Sequence, residues 1–351
     1  MTRHRSTARG LAALLLAATL AACGGSDDAG GGDVWRLAIE EAAGSVQDAY
    51  AREFERRVEE RTGGAVDVKV YPYGSLGTSD DLTEQLRMGS LQFAMSSPGH
   101  LGKTIPELQV FLLHFVFSDD VEVNRAAIED PEFRAAIEPL FPERGLALLD
   151  VLPEGWMVWT TQKPIREPAD FEGVKIRTMT SPLLLAAYEA YGASPQAMPY
   201  GEVYSALQLN MIDAQVNPVF AIEEMSFYEV TSDMVFARHA PFLTTFLTND
   251  DFLEGLSPER RRVVEEVVAE LGPFLDAEQK RLNRERLDAI RERKPDMAMI
   301  ELDDAQRALF RERALPVREQ FRELAGERGG RVLDALLSAV ARAKEAAGEG
   351  G

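Results

Sequence analysis

The chain has 351 residues, with 38 Lys and Arg against 58 Asp and Glu and a formal net charge of −20. A surface this acidic repels nucleic acid and anionic lipid headgroups, so nucleic acid is not an expected partner. The length suits one large or two moderate domains, and a single cysteine, Cys23, leaves no internal disulfide to form.

Residues 11–22 form an apolar run behind a basic start of Arg3, His4, Arg5 and Arg9. The run is too short to span a bilayer as a helix and suits a secretory signal core. The sequence Leu20-Ala21-Ala22-Cys23 resembles a bacterial lipobox, in which the thiol is lipidated and the chain is cut just before it. Residues 1–22 are then a lipoprotein signal peptide, and two or more acyl chains on Cys23 would hold the protein stably on a membrane surface. The alternative is a plain signal peptide with an incidental cysteine. Residues 23–32, rich in Gly and Asp, have nothing to bury and read as a flexible tether.

Strand and helix signals then alternate. Residues 34–39 read as a strand, and Ser45 caps a helix marked by Tyr50, Phe54 and Val58 and ended by Gly63-Gly64. Val66, Val68 and Val70 alternate as a strand does. Residues 80–88 are helical and 91–95 a strand. Residues 146–152 are strand-like, and 156–161 extend them toward a second lobe. Val174, Ile176 and Thr178 mark another strand, Ser181-Pro182 opens a helix that closes at Gly192, and 204–209 form one more helix. From Ser257-Pro258 a highly charged helix runs to about Lys294, interrupted at Gly272-Pro273. Helices over 303–325 and 331–347 complete an α/β chain with a helical tail.

Three stretches together resemble a known family: "YPYGSLGTSDDLTEQLRMGSLQFAM" (71–95), "KPIREPADFEGVKIRTM" (163–179) and "PQAMPYGEVYSALQLNMIDAQVNP" (195–218). They are similar to the extracytoplasmic solute-binding subunits of tripartite ATP-independent periplasmic (TRAP) transporters, the DctP family. The resemblance covers essentially the whole mature chain. It implies a two-lobed periplasmic-binding-protein fold with crossing hinge strands and a long helix spanning both lobes. Residues 33–154 and 243–282 would form the first lobe, and 155–242 and 283–351 the second. It also implies a periplasmic protein that delivers a carboxylate-containing solute to a small and a large integral-membrane subunit; a monomer is the default expectation.

The same resemblance supplies candidate ligand contacts. Arg177 stands where relatives grip a ligand carboxylate, and a guanidinium suits that task because it is planar, stays charged and offers two parallel donors. Asn217 matches an asparagine that also reaches the carboxylate, and Tyr200 an aromatic that packs on the ligand. Ser97 and Glu40 lie where the first lobe contributes polar contacts. Many relatives carry a second arginine before the "T-x-x-x-P-I" segment; here Met157 occupies that place, flanked by Trp156 and Trp159. One buried counter-charge favours a monocarboxylate with an apolar or aromatic body over a dicarboxylate. The expectation is that Met157 and one of the two indoles touch that body. Glu40 and Glu41 could meet an amino group, so a zwitterionic aromatic amino acid, or an indole- or phenyl-containing acid, is the sharpest expectation. Alternatives are a C4-dicarboxylate or a sugar acid, or a sensor-linked solute-binding role.

No nucleophile elbow, H-E-x-x-H, P-loop or dinucleotide fingerprint is present, and His100, His114 and His239 lack metal-ligand spacing. Neither catalysis, a metal nor a cofactor is expected.

Overall fold

The computed structural model describes residues 33–348. The expected signal peptide, the tether and Cys23 lie outside them. The chain begins β1 (Asp33–Ala38), α1 (Val46–Arg61), β2 (Val66–Tyr71), α2 (Ser79–Arg87), β3 (Phe93–Ser96), α3 (Pro98–Leu101), α4 (Val121–Ile128) and α5 (Pro131–Ile137). Next come β4 (Leu146–Trp156), β5 (Val158–Thr161), β6 (Lys175–Thr178), α6 (Pro182–Ala190), β7 (Ser194–Ala197), α7 (Val203–Gln208), β8 (Ala214–Asn217), α8 (Val219–Glu224), β9 (Asp233–Phe236) and β10 (Pro241–Asn249). The last stretch holds α9 (Asp250–Gly255), α10 (Pro258–Arg293), β11 (Ala298–Glu301), α11 (Asp304–Ala314) and α12 (Val317–Ala346).

Local chemistry accounts for many of these boundaries. The Ser45 hydroxyl accepts from the Asp48 N–H and starts α1; Thr78 and Asp81 form a reciprocal capping box on α2; Ser257 caps α10 with Pro258 in its first turn. Each device satisfies amide groups that a helix start leaves without partners.

Two sheets result, one per lobe. The first has the order β2-β1-β3-β10-β4 and the second β11-β9-β5-β8-β6-β7. In the first, β1 pairs parallel with β2 and β3, while β10 runs antiparallel to β3 and β4. In the second, β6 pairs parallel with β7 and β8. The chain crosses between sheets where β4 passes into β5 and where β9 leads to β10. The Met157 N–H bonds the Ala240 carbonyl at 3.0 Å, so the two crossings lie side by side. Helix α10 packs on α1 and β4 of the first lobe and on α8 of the second, which ties both lobes to one rod.

Buried residues fill both faces of each sheet. Trp35, Phe54, Phe93 and Phe246 pack under α1 and α10, and Trp159, Phe171, Tyr188 and Phe310 fill one side of the second lobe.

Three expectations are corrected. Gly272-Pro273 does not interrupt α10, which continues for 36 residues through Pro273. Val264, Val267, Leu271 and Leu275 on its buried face hold the helix across the lost hydrogen bond. The tail of the chain does not belong wholly to the second lobe either. Helix α12 packs on α4, α5 and the 3-10 stretch Pro106–Leu112, because Phe321, Leu333 and Leu336 complete the apolar cluster of Phe111 and Phe133. The expected helix over 303–325 stops instead at Ala314, just ahead of Pro316, and Gly326 at φ 67° kinks α12.

Candidate ligand-binding cleft

Between the lobes lies a cavity with about 370 Å³ of atom-free space. The carboxyl ends of parallel strands face each other across it, which is where α/β sheets offer backbone groups and loops to ligands. Glu40 and Glu41 follow β1, Ser97 follows β3, and Ser79, Gln47 and His100 come from adjoining helices. From the second lobe come Arg177 and Met179 at the end of β6, Tyr200 after β7, Asn217 closing β8, and Ala221 on α8. Phe242 enters from the crossing strand β10.

Arg177 is 1% exposed. Its Nε and Nη2 both donate to the Met198 carbonyl, at 3.0 and 2.8 Å, and its guanidinium lies 5.9 Å from the centre of the Tyr200 ring. Among the described residues no carboxylate pairs with it. Burial lowers its pKa to about 10, so it remains a cation at neutral pH. The Met198 carbonyl fixes the plane of the fork and leaves Nη1 without a protein partner among the described residues.

Asn217 donates from Nδ2 to Gln215 Oε1 at 2.6 Å, and Gln215 in turn donates to Thr160 Oγ1 at 2.9 Å. This amide chain holds the Asn217 head in place. The Tyr200 ring sits edge-on to Tyr73 and Phe227, and its buried hydroxyl has no partner among the described residues.

The opposite wall is acidic. The Ser97 N–H donates to Glu40 Oε2 at 2.8 Å, while Glu40 Oε1 is buried and without a hydrogen-bond partner among the described residues. Gln47 knits the group: its Oε1 accepts from the Glu40 N–H, its N–H donates to Glu41 Oε2, and its Nε2 donates to Glu154 Oε1 on β4. Burial raises the pKa of Glu40. Burial, reinforced by the neighbouring Glu154, raises that of Glu41 well above the ordinary value, and burial raises Glu154 too. His100 is the other basic residue lining the cavity, and its Nδ1 already lies 3.5 Å from Asp80.

The lobes touch directly around the cavity. The Ala42 N–H donates to Glu224 Oε1 at 2.8 Å, the Gly201 N–H to the Tyr73 hydroxyl at 3.2 Å, and Ser181 Oγ to Gln109 Oε1 at 2.6 Å. Gly99 approaches Met179 so closely that a Cβ there would lie 2.6 Å from its sulfur. These contacts describe a shut cleft.

Of the residues singled out from sequence, Arg177, Asn217, Tyr200, Ser97 and Glu40 line this one cavity. Met157, Trp159 and Trp156 do not, and the expectation that they meet ligand is corrected. Trp159 is fully buried in the second lobe, donating from Nε1 to the Tyr188 hydroxyl at 2.9 Å. Met157 packs in the same core. Trp156 faces a separate groove beside Gly155 and Asn283. Trp159 points into the second-lobe core and Trp156 toward the groove, while Met157 lies beside a small space that Met179 and Phe242 also line, next to the cleft. Gln47, Ser79, Met179 and Phe242 were missed. Ser79 and Met179 lie within the quoted motif stretches; Gln47 and Phe242 carry no local signal.

A two-lobed α/β protein whose facing strand ends enclose a small, oppositely charged cavity is built as a solute-binding protein. The profile of the bacterial extracellular solute-binding protein family 7, DctP, matches residues 37–324, and the chain belongs to this family, the solute-binding proteins of TRAP transporters. Such proteins bind small molecules and work with membrane permease subunits. The chain is 40% identical over 306 residues to the ectoine-binding periplasmic protein TeaA of Halomonas elongata, covering 86% of this chain and 88% of that one. A high-resolution structure of TeaA superposes with a TM-score of 0.85 at 39% identity, over 88% of this chain and 99% of that one. It is 37% identical over 310 residues to the ectoine/5-hydroxyectoine-binding periplasmic protein UehA of Ruegeria pomeroyi, covering 88% and 91% of the two chains. A TRAP solute-binding protein from Marinobacter aquaeolei VT8, in an apo open structure, matches with a TM-score of 0.82 at 44% identity, over 87% and 99% of the chains.

Proposed function

We propose that this protein captures a compact zwitterion, ectoine or 5-hydroxyectoine, outside the cytoplasm and delivers it to TRAP permease subunits. Ectoine carries one carboxylate and one delocalised ring cation. The observation that carries the reading is the separation of charge across the cavity: Arg177 on one wall, Glu40 and Glu41 on the other. The carboxylate would take the free edge of the Arg177 fork and the Asn217 amide, and the ring cation would meet the unbonded Glu40 oxygen and Glu41. Each charge-assisted hydrogen bond contributes about 1.5–3 kcal/mol net. Among the described residues Arg177 is the unpaired cation of the wall, which suits one carboxylate and disfavours two. The names of TeaA and UehA support the same class.

Ligand contacts to both walls would add to the direct lobe-to-lobe bonds and favour the shut form. Attachment at Cys23 belongs to this proposal, and mass spectrometry of the mature amino terminus tests it: a diacylglyceryl cysteine is expected, and an unmodified start elsewhere would refute it. For the ligand, the protein is unfolded and refolded to strip the cleft, and its melting temperature is compared with ectoine, 5-hydroxyectoine, tryptophan, indole-3-acetate and succinate. The two ectoines should raise it most. A shift with succinate alone would sink the reading.

A further inference from the structure

The crossing strand β10 divides two cavities. Phe242 lines the cleft, while its neighbours Pro241 and Leu243 line a second groove with about 1410 Å³ of atom-free space. Gln279, Asn283 and Leu287 of α10 wall the groove, which places it on the α10 side of the crossing strands. No residue lining it also lines the cleft. Its floor is apolar, made by Trp156, Met157 and Val158 of the β4–β5 crossing together with Leu287 of α10. The rim spans both lobes, with Val121 of α4 on one side and Phe236 of β9 on the other.

The charges on the rim are unevenly matched. Lys280 pairs with Glu122, Asp276 with Arg125, and Arg291 with Asp288. Arg238 and Arg284 have no carboxylate partner among the described residues, against one unpaired acid, Glu301. Arg238 also holds a left-handed backbone, φ 47°, which non-glycine residues rarely adopt. An open apolar floor beneath unmatched cations is complementary to a molecule with a hydrocarbon body and one negative head.

We propose that this groove is a second binding site, for a single-chain amphiphilic anion of the fatty-acid class. The chain lies on Trp156, Met157 and Leu287, and the acid group meets Arg238 and Arg284. The site acts on the hinge. A rotation that shuts the front of a hinge opens its back, so an occupant of the back groove favours the shut cleft. Linkage then requires it to tighten the cleft ligand, and the cleft ligand to tighten it by the same factor.

Decanoate is the probe. Calorimetric titration into refolded, cleft-empty protein should give one site. Leu287→Asp, which puts a charge on the floor, and Arg284→Glu, an exposed change that leaves the core alone, should each weaken it at least tenfold. Arg177→Ala is the control for decanoate entering the cleft, and decanoate binding should survive it. Saturating decanoate should raise ectoine affinity severalfold. Decanoate binding unchanged in both groove variants, or lost in Arg177→Ala, overturns the proposal, as does an unaltered ectoine affinity. If decanoate fails to bind and Leu287→Asp instead splits a self-associated protein on sedimentation, a second copy of the chain is the occupant and the proposal falls. The first arm uses no cleft ligand, so it decides the groove even if ectoine proves to be the wrong solute.

Discussion

The two walls of the cleft solve opposite problems. The second lobe buries a cation and orients it with one backbone carbonyl, so Arg177 stays charged and only partly bonded. The first lobe gathers the buried carboxyl groups of Glu40, Glu41 and Glu154, whose pKa values burial raises, and ties them together through Gln47. A buried charge without a partner is costly, and each wall lacks the charge the other holds. On the proposed reading, the missing partners arrive together on one molecule.

The largest way to break this comparison is to remove the cation. Arg177→Ala should weaken ligand binding by about 3–5 kcal/mol, a few-hundred to several-thousand-fold, because a desolvated carboxylate loses its counter-charge. Arg177→Lys should recover only part, since an ammonium cannot reproduce the fork. Calorimetric titration of the refolded variants checks both, and near-normal affinity in either would make Arg177 structural. Removing the other pole should be milder. Glu40→Gln keeps an acceptor for the Ser97 amide but loses the charge, and it should weaken a zwitterion by about 1.5–3 kcal/mol. The same change should leave the affinity for a simple monocarboxylate nearly untouched, which isolates the cation's share.

A third variant separates wall chemistry from closure. Gly99→Val pushes against Met179 across the shut interface, and overpacking of that kind costs about 1–3 kcal/mol. Ligand affinity should fall about tenfold while the melting temperature of the ligand-free protein changes little. An unchanged affinity would show that the lobes need not approach this closely.

Ionisation sharpens the contrast further. Burial, with Glu41 facing it, pushes Glu224 up to about 8. A carboxyl raised in the folded state adds stability that is complete below its ordinary value near 4.5 and is lost as pH climbs through about 8. Ligand-free protein should therefore lose stability between pH 5 and 8. Glu224→Gln should flatten that decline, and ectoine, by supplying a cation, should flatten it in the natural chain. Equal slopes in all three urea titrations would contradict the acidic wall. The smallest effect on binding belongs to Trp159→Phe. It loses the bond to Tyr188 and about 1 kcal/mol of stability, yet ligand affinity should stay within twofold.

Much of this arrangement was legible in the sequence, for identifiable reasons. Alternating valines, capping serines and the Ser257-Pro258 start are local signals, and the elements they mark stand close to where they were expected. Arg177, Asn217 and Tyr200 lie within motif stretches, and all three line the cavity. What failed was orientation over distance. Trp159 and Met157 lie where the chain leaves one sheet for another, and which face turns inward there depends on β8, β9 and β10, none of which had been read from local pattern. Helix α12 was misplaced for the same reason: its apolar face fits a cluster assembled from residues two hundred positions earlier. Gln47 does its work through long-range hydrogen bonds to Glu154 and Thr244, which no local pattern reveals.

The most direct test is a crystal structure of the refolded protein grown with ectoine. Its carboxylate should lie against Arg177 and Asn217, with the ring nitrogens turned to Glu40 and Glu41. A ligand whose carboxylate points away from Arg177, or an empty cleft at saturating ectoine, would contradict the pairing of the two walls.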